Sequence, residues 1–550
     1  MIYCYFKRLK TSKYVEHVCI ILLSMLIISV VILSCVPPVS RDALVYHLAL
    51  PKLYLRHGGM CEIPSLIFSY FPSNLHLLYA IPLCFNNDII PKFIHFTFAL
   101  LTAWLIFVYL RKRLGTLYAL FGALFFLSIP LIVKLSITAY VDLGLVFFST
   151  ASLFYLVRWI ENKFRLKYLI ISGIWCGLAL GTKYNGLMVL FLLTLFVPFV
   201  HSRSTGPETQ NQYRAIGYGA LFMLTALLIF SPWMIRNYAW TQNPIYPLYD
   251  NWFNPENPAP AYSILTIMNF ELRSVIQEEP WWEIALLPVR IFFQGQDGNP
   301  RYFDGKLNPF LFFLPFFAFW QYHKDSPVLI TEKKIFIIFS ILVLLFVLFT
   351  TNMCQLRYTA IMIPPLVILA VFGLHEIRAI LPKFPKLRKS LVFIIVLSVA
   401  GINAAYIYGQ FKYVDPISYI TGKTGRDEYI KRYRGEYPAV QFANSNLSEN
   451  SKILGIFIGD RRYYCDRDMV FDINGLLKTI KEAASPKKIA SDLGKKEITH
   501  LLIRYDLFNE WRGNNFEGGK AAMLGTFLKE HLTPLFSKGG YGLFRLEKNS

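Results

Sequence analysis

The sequence predicts an α-helical polytopic membrane protein of about eleven spans with a small C-terminal α/β domain. Three observations carry this expectation. Hydrophobic residues fill 55% of the 550 positions and charged residues 17%, and the mean hydropathy of +0.41 lies outside the soluble range. Long apolar runs recur between residues 18 and 409. Beyond them the composition turns polar, so 1–409 reads as a transmembrane domain and 410–550 as a soluble one.

The spans follow in order. A basic tail (Lys7, Arg8, Lys10, Lys13) leads into a first span at 18–36, which no small-residue cleavage site follows. Residues 37–87 form an outer loop whose stretches 43–57 and 74–85 suit surface helices; the second is too short to cross. Further spans are expected at 89–110, 115–132, 141–158, 168–180, 186–200 and 215–235. After an outer loop at 236–306, with the tandem Trp281-Trp282 and the run Gln294–Gly298, come 308–321, 335–350, 356–375 and 390–409. The short loops that hold Arg111–Arg113, Arg158–Lys167, Lys324–Lys334 and Arg378–Lys389 then all fall inside. Asp42, Asp142, Lys183, Arg357 and the C-terminal domain fall outside.

The net charge of +21 lies largely in those basic loops, where it orients the chain and meets membrane lipids, so nucleic acid is excluded as a partner. The eight cysteines show no C-x-x-C spacing, which argues against a zinc ribbon or disulfide framework. In the C-terminal part, 452–459 and 499–505 read as buried strands, 474–494 and 519–531 as helices, and 536–546 as a hairpin around Gly539-Gly540. The polar insert 202–213 is the one compositionally biased stretch.

Several polar residues stand at expected membrane edges. Asp42, in Ser40-Arg41-Asp42, precedes an amphipathic stretch and suits a helix N-cap; Tyr46, four residues on, shares its helix face, and His47 lies beside it. A carboxylate at a membrane face is costly, which favours a task beyond capping. Asp142 opens a span and would complement the helix dipole there. Lys183, between Gly181 and Gly186, could snorkel to the surface or hold a phosphate. Arg357, followed by Tyr358, could anchor a span end or grip phosphate oxygens in a forked geometry. Gly422-Lys423-Thr424 ends like a P-loop, but Ile417 occupies the place of its first glycine. His47, Glu62 and His76 match no metal-binding spacing, so the sequence leaves a divalent metal open.

Four segments recur in a familiar order: Arg41–Leu48 (RDALVYHL), Tyr140–Asp142 (YVD), Leu180–Lys183 (LGTK) and Leu356–Pro365 (LRYTAIMIPP). Together they resemble the GT-C class of membrane glycosyltransferases, nearest to protein O-mannosyltransferases and the aminoarabinose transferases of lipid A. The resemblance covers about residues 15–410. It implies an enzyme of a bacterial inner or plasma membrane that takes a sugar from a polyprenyl-phosphate donor at the extracytoplasmic face. The acceptor hydroxyl, on a glycan, lipid or protein, is not specified. In that resemblance Asp42 corresponds to the base and Asp142 to the acid that opens the fourth span. Lys183 and Arg357 correspond to the cations near the lipid phosphate; Tyr46, His47 and Tyr358 are further candidates for substrate or phosphate binding. Two departures stand out: Ala43 replaces a frequent second acid, and Phe71–Leu75 replaces a Lys-Pro-Pro-Leu stretch.

The chemistry is coherent with those residues. A base activates the acceptor and cations stabilise the departing phosphate. Direct displacement inverts the anomeric carbon and needs no second nucleophilic carboxylate. The alternative is a polyprenyl-linked sugar flippase or transporter, for which charges near membrane depth and the helix break at 181–186 would form a path. Against it, the chain shows no internal repeat and its polar candidates cluster on one side.

Overall fold

A computed structural model describes residues 2–205, 209–256, 272–320, 325–350, 355–380 and 385–547. Residues 206–208 of the polar insert, 257–271 of the long outer loop, Lys324 and Lys383 lie outside the described residues, as do the side chains of Lys7, Arg8, Lys10, Arg378, Lys386, Arg388 and Lys389. The chain divides into two compact units. One comprises Met1–Cys35, Tyr70–Tyr79 and Ile90–Pro416; the other comprises Val36–Ser69, Ala80–Ile89 and Ile417–Ser550.

From the N-terminus the helices are α1 (Ile2–Ser34), α2 (Ala49–Arg56), α3 (Asn74–Cys84), α4 (Ile90–Leu114), α5 (Thr116–Ser128), α6 (Pro130–Ser136), α7 (Asp142–Glu161), α8 (Leu166–Leu180), α9 (Gly186–Thr205) and α10 (Thr209–Thr241). Further apolar helices follow at Phe310–Phe317, Pro327–Thr350, Ile363–Ile380 and Pro385–Val414. A helix thus stands at every position where the apolar runs predict a span. Seven helical segments among the described residues are long and apolar enough to cross a membrane, or eight if the bent pair α5–α6 is one span. The chain is a multi-pass membrane protein.

The departures from regular spans have local causes. The expected span 115–132 bends by 66° between α5 and α6. Pro130 opens α6 and drives Ile129 into an extended conformation, with ψ at 130°. The expected span 308–321 is helical only over Phe310–Phe317, between Asn308-Pro309 and Ala318. α8, at 15 residues, is shorter than a perpendicular crossing requires. The last apolar helix runs past residue 409 to Val414.

Burial ranks the spans. The segment Leu356–Ile377 is 89% buried and α7 is 72% buried, whereas Ser390–Val414 is 11% buried. The first two form the centre of the bundle, and the last presents Phe393, Ile394 and Leu397 outward. At the C-terminal end of α7, Glu161 accepts from Arg113 at 2.7 Å. Arg113 also binds the buried Glu332, which takes the Tyr109 hydroxyl at 2.5 Å. Part of the basic cluster Arg111–Arg113 is therefore tied into a charged network that joins α4, α7 and the helix Pro327–Thr350.

The second unit holds a five-stranded sheet of order β2-β1-β3-β5-β4. Its strands are β1 (Lys452–Ile456), β2 (Asp468–Val470), β3 (His500–Arg504), β4 (Leu532–Lys538) and β5 (Tyr541–Leu546). β1 is parallel to β2 and β3, with Leu454 opposite Leu501, and the β4–β5 hairpin is antiparallel. Both faces are covered, which is why β1 and β3 read as continuous apolar runs. Leu454, Ile456, Leu501 and Ile503 pack against Leu476, Ile489 and Phe527 on one face. Ile453, Leu502 and Leu543 meet Ala439 and Val440 on the other. The expected helix 474–494 is two, because Ser485 caps a new helix that begins at Pro486. The three-residue β2 carried no pattern long enough to detect.

Gly373 marks a close helix contact: a Cβ there would strike the main-chain carbonyl of Leu314, whereas one at Gly401 would meet nothing. Gly373→Ala is therefore expected to cost about 1–3 kcal/mol, seen as a lowered unfolding temperature in detergent. Gly401→Ala, in an open helical position, should leave it unchanged or raise it.

Candidate active site

Three helix junctions converge within the transmembrane unit. The first is the start of α7. His95, buried in the second turn of α4, receives the Leu143 amide at its Nε2 (2.9 Å). Its Nδ1 lies 3.0 Å from the Leu135 carbonyl and 2.9 Å from that of Thr138. Since Nε2 accepts, the ring is neutral and Nδ1–H donates. One imidazole thereby ties together both ends of the turn that presents Tyr140 and Asp142. The Tyr79 hydroxyl donates to the Tyr140 carbonyl from the other side.

The second junction is the break between α8 and α9. The Asn74 amide donates to the Gly181 carbonyl at 2.9 Å. The Asn74 side chain donates to the Leu178 carbonyl at 3.3 Å and accepts from the Trp233 indole at 2.9 Å. A Cβ on Gly181 would collide with that side chain, so glycine is required by close approach. Arg236, stacked between Trp233 and Trp240, donates to the Tyr70 carbonyl at 2.6 Å. Residues 70–74 are thus fixed against the turn that carries Lys183.

The third junction starts the most buried span. The Leu356 amide donates to the Phe303 carbonyl at 2.9 Å. Phe303 lies beneath the Arg273 guanidinium, 5.0 Å from its ring. Arg273 and Arg290 share the fully buried Glu279 at 2.9 and 3.1 Å. The loop that contains Gln294–Gly298 is further pinned by Lys134 on α6, which binds Asp304 at 2.8 Å and Asp297 at 3.3 Å.

Where these junctions meet, Lys183 Nζ lies 2.8 Å from Asp142 Oδ1, the two side chains being 12% and 2% exposed. The ammonium is 5.0 Å from the centre of the Tyr358 ring. The Arg357 guanidinium lies 5.3 Å from the Tyr140 ring and 5.2 Å from that of Tyr358. Its Nε donates to Gln355 at 2.8 Å. Asp142 Oδ2 is buried and makes no hydrogen bond within the described residues. Asp142 does not cap α7. Two cations, one carboxylate and two aromatic faces form a cluster suited to an oxyanion.

Asp42, Tyr46 and His47 belong to the other unit. Asp42 immediately precedes a π turn at Ala43–His47 and makes no cap hydrogen bond. Tyr46 stacks on Phe68, with ring centres 4.0 Å apart, in a cluster with Val45, Leu50, Tyr54 and Leu66. His47 is fully buried, its ring 3.9 Å from that of Tyr46. Of the residues considered for a metal, His47 and Glu62 lie in this unit and His76 in the other. No three His, Cys, Asp or Glu side chains among the described residues converge on a metal position.

The sequence reading missed His95, Asn74, Trp233 and Arg236. His95 had a usable signal, an ionisable residue inside an apolar run. The others are recognisable only through their partners, far away in the chain.

Two outcomes follow. Lys183→Met would leave a buried carboxylate unpaired and should cost about 3–5 kcal/mol of stability, recovered in large part when Asp142→Asn is added. Thermal unfolding of both variants in detergent checks this, and equal losses would contradict it. His76, on α3, is held down to about 3 by burial, with repulsion from Arg236 and Lys183. The unfolded chain, with a histidine near 6.5, takes up a proton that the native state excludes, so stability falls as the pH drops below about 6.5. His76→Asn should flatten that fall between pH 6.5 and 4.5, read from unfolding temperatures against pH.

Residues 85–235 match the dolichyl-phosphate-mannose-protein mannosyltransferase family, a stretch that includes Asp142 and Lys183. The comparison with curated proteins finds no match. Among solved structures, ArnT from Cupriavidus metallidurans bound to undecaprenyl phosphate superposes with a TM-score of 0.58 at 15% identity, over 96% of this chain and 97% of that one. Its apo form gives 0.56 at 14% identity with the same coverage. The Archaeoglobus fulgidus oligosaccharyltransferase, tethered to an acceptor peptide, gives 0.52 at 12% identity, over 96% of this chain and 74% of that one. At such identities the likeness establishes the fold, and the resemblance read from the four sequence segments is borne out to that extent: this is a polytopic membrane protein with the GT-C fold of the membrane glycosyltransferases.

Proposed function

We propose that the protein transfers a sugar from a polyprenyl-phosphate carrier to an acceptor hydroxyl on the extracytoplasmic side of the membrane. The observation that carries this reading is the convergence of Asp142, Lys183, Arg357 and Tyr358 from three junctions far apart in sequence. Lys183 pairs with Asp142, and Arg357 brings a second cation to the same cluster, which suits a phosphate. The partial burial of Lys183 would strengthen its attraction relative to that of a surface lysine. ArnT, whose fold this chain shares, has been solved with undecaprenyl phosphate, which supports the same class of carrier here.

The roles divide by chemistry. Arg357 offers a planar fork to the phosphate oxygens and Lys183 a point charge, so the carrier phosphate is stabilised as the glycosidic C–O bond breaks. Asp142 orients Lys183 through their ion pair. Asp42 takes the proton of the acceptor hydroxyl, whose oxygen bonds the anomeric carbon from the face opposite the departing phosphate, with inversion. The positive-inside pattern supports the extracytoplasmic assignment.

Asp42→Asn is expected to lower transfer by about two to four orders of magnitude in folded, membrane-inserted protein. Thin-layer separation of radiolabelled polyprenyl-phosphate sugar, with release of polyprenyl phosphate as the readout, tests this. Arg357→Gln should weaken donor use in the same assay, while wild-type turnover in both variants would reject the reading. Movement of the donor between leaflets without cleavage would instead favour a flippase.

A further inference from the structure

In the second unit, the segment around Asp42 is held by main-chain contacts from residues far downstream. On the N-terminal side, the Tyr464 hydroxyl donates to the Pro38 carbonyl at 2.8 Å, and the Arg434 guanidinium donates to that of Val39. On the C-terminal side, the Leu44 carbonyl accepts the amides of Arg462 and Tyr463 at 3.2 and 3.1 Å. Lys52, on α2, donates to the Tyr463 carbonyl and to Asp466, each at 2.8 Å. Arg56 adds a bond to the Asp466 carbonyl at 3.0 Å. The gripping loop is itself anchored: Tyr463 reaches the buried Asp88, which also pairs with Arg426.

The turn that follows Asp42 explains why such a grip is needed. Ala43–His47 is a π turn, closed by the Leu48 amide on the Ala43 carbonyl at 2.9 Å. Such turns are rare, hold one residue more than an α turn and cluster at functional sites. Leu44 is 1% exposed, so its carbonyl, without the two amides, would be a buried acceptor lacking those partners. Relaxation to a regular α turn would rotate the preceding residue by about 100° relative to α2 and carry Asp42 to another face. The gripping loop leaves the carboxyl end of β1, where open α/β sheets usually receive a ligand. Here that loop grips the chain's own first loop.

We infer that the C-terminal segment 417–550 is a positioning element for Asp42: Arg434, Arg462, Tyr463 and Tyr464 clamp the main chain on both sides of it, and Asp466 holds the Lys52 and Arg56 side chains of α2. The inference rests on the assignment of Asp42 as the base. Misplacement of a base by about 1 Å can cost about a hundredfold in rate without weakening donor binding. The clamp therefore acts on kcat.

The test is the full-length triple variant Lys52→Ala/Tyr464→Phe/Asp466→Ala. Its kcat should fall at least tenfold while the donor KM stays within twofold, and Lys52→Arg alone should keep wild-type kcat. Combined with Asp42→Asn, the triple variant should add no further loss, because both changes remove the same contribution. Amide hydrogen exchange over residues 38–48 should rise, while exchange over β1 and β3 stays as in the wild type and reports an intact fold. Unchanged exchange over 38–48 overturns the clamp itself. An unchanged kcat, or a loss that multiplies with that of Asp42→Asn, overturns its catalytic role. Full activity of Asp42→Asn alone overturns the assignment of the base, a result separable from the other two.

Discussion

The ion pair between Asp142 and Lys183 is the constraint on which the transmembrane unit depends. Removing both charges from water costs several kcal/mol per ion, and only close contact with well-aligned hydrogen bonds offsets it. At 2.8 Å, with the carboxylate 2% exposed, the pair meets the first condition. The second is met only in part, because Asp142 Oδ2 makes no hydrogen bond within the described residues. A buried polar atom left in this state marks an arrangement shaped for something other than stability. Replacement of the pair by apolar residues of similar volume would be neutral or favourable for folding. Its presence speaks for a function that needs the charge.

Such a pair requires its three junctions to arrive in fixed register, and each is braced from outside. His95 bridges the two ends of the turn before α7 with a ring that cannot be charged in that geometry. Asn74 and Trp233 hold the glycine turn before Lys183. The loop through Glu279, Arg273 and Phe303 sets the start of the span that carries Arg357. At the first two junctions a polar side chain satisfies main-chain groups left over at a helix end, and at the third the Phe303 carbonyl does so. The bundle's most buried helices begin at these points, so the braces fix the ends of elements that are already rigid.

Much of this was legible in the sequence, for physical reasons that also set the limit. Apolar runs and basic loops record the membrane directly, so helix positions followed from composition. Asp142, Lys183, Arg357 and Tyr358 stood out as polar residues at span edges, and the structure brings all four together. What stayed hidden was pairwise. Nothing in Lys183 announces that its partner lies forty-one residues upstream rather than in solvent. The same holds for Phe303, whose contribution is a carbonyl, a group every residue carries. The bend at Pro130 was written in the sequence, but an apolar run continuous through it masked the break. The π turn after Asp42 has no compositional signature, because it depends on amides supplied by residues 462 and 463.

The two kinds of charged group in the proposed reaction face different demands. Cations that stabilise a departing phosphate must not reorganise as charge develops, which favours attachment to the ends of buried helices. A base must meet an acceptor that arrives from water and departs again, which favours a surface segment. Surface segments are the least well positioned part of a fold. The clamp around Asp42 resolves that conflict through main-chain carbonyls, which fix the position of the turn without using its side chains. A positioning device of this kind tolerates sequence change around the base, since any residue supplies a carbonyl. It does not tolerate loss of the gripping loop, whose Tyr464 and Asp466 contribute side chains as well as backbone. In the proposed reaction the C-terminal segment would serve the base as the buried helix ends would serve the phosphate.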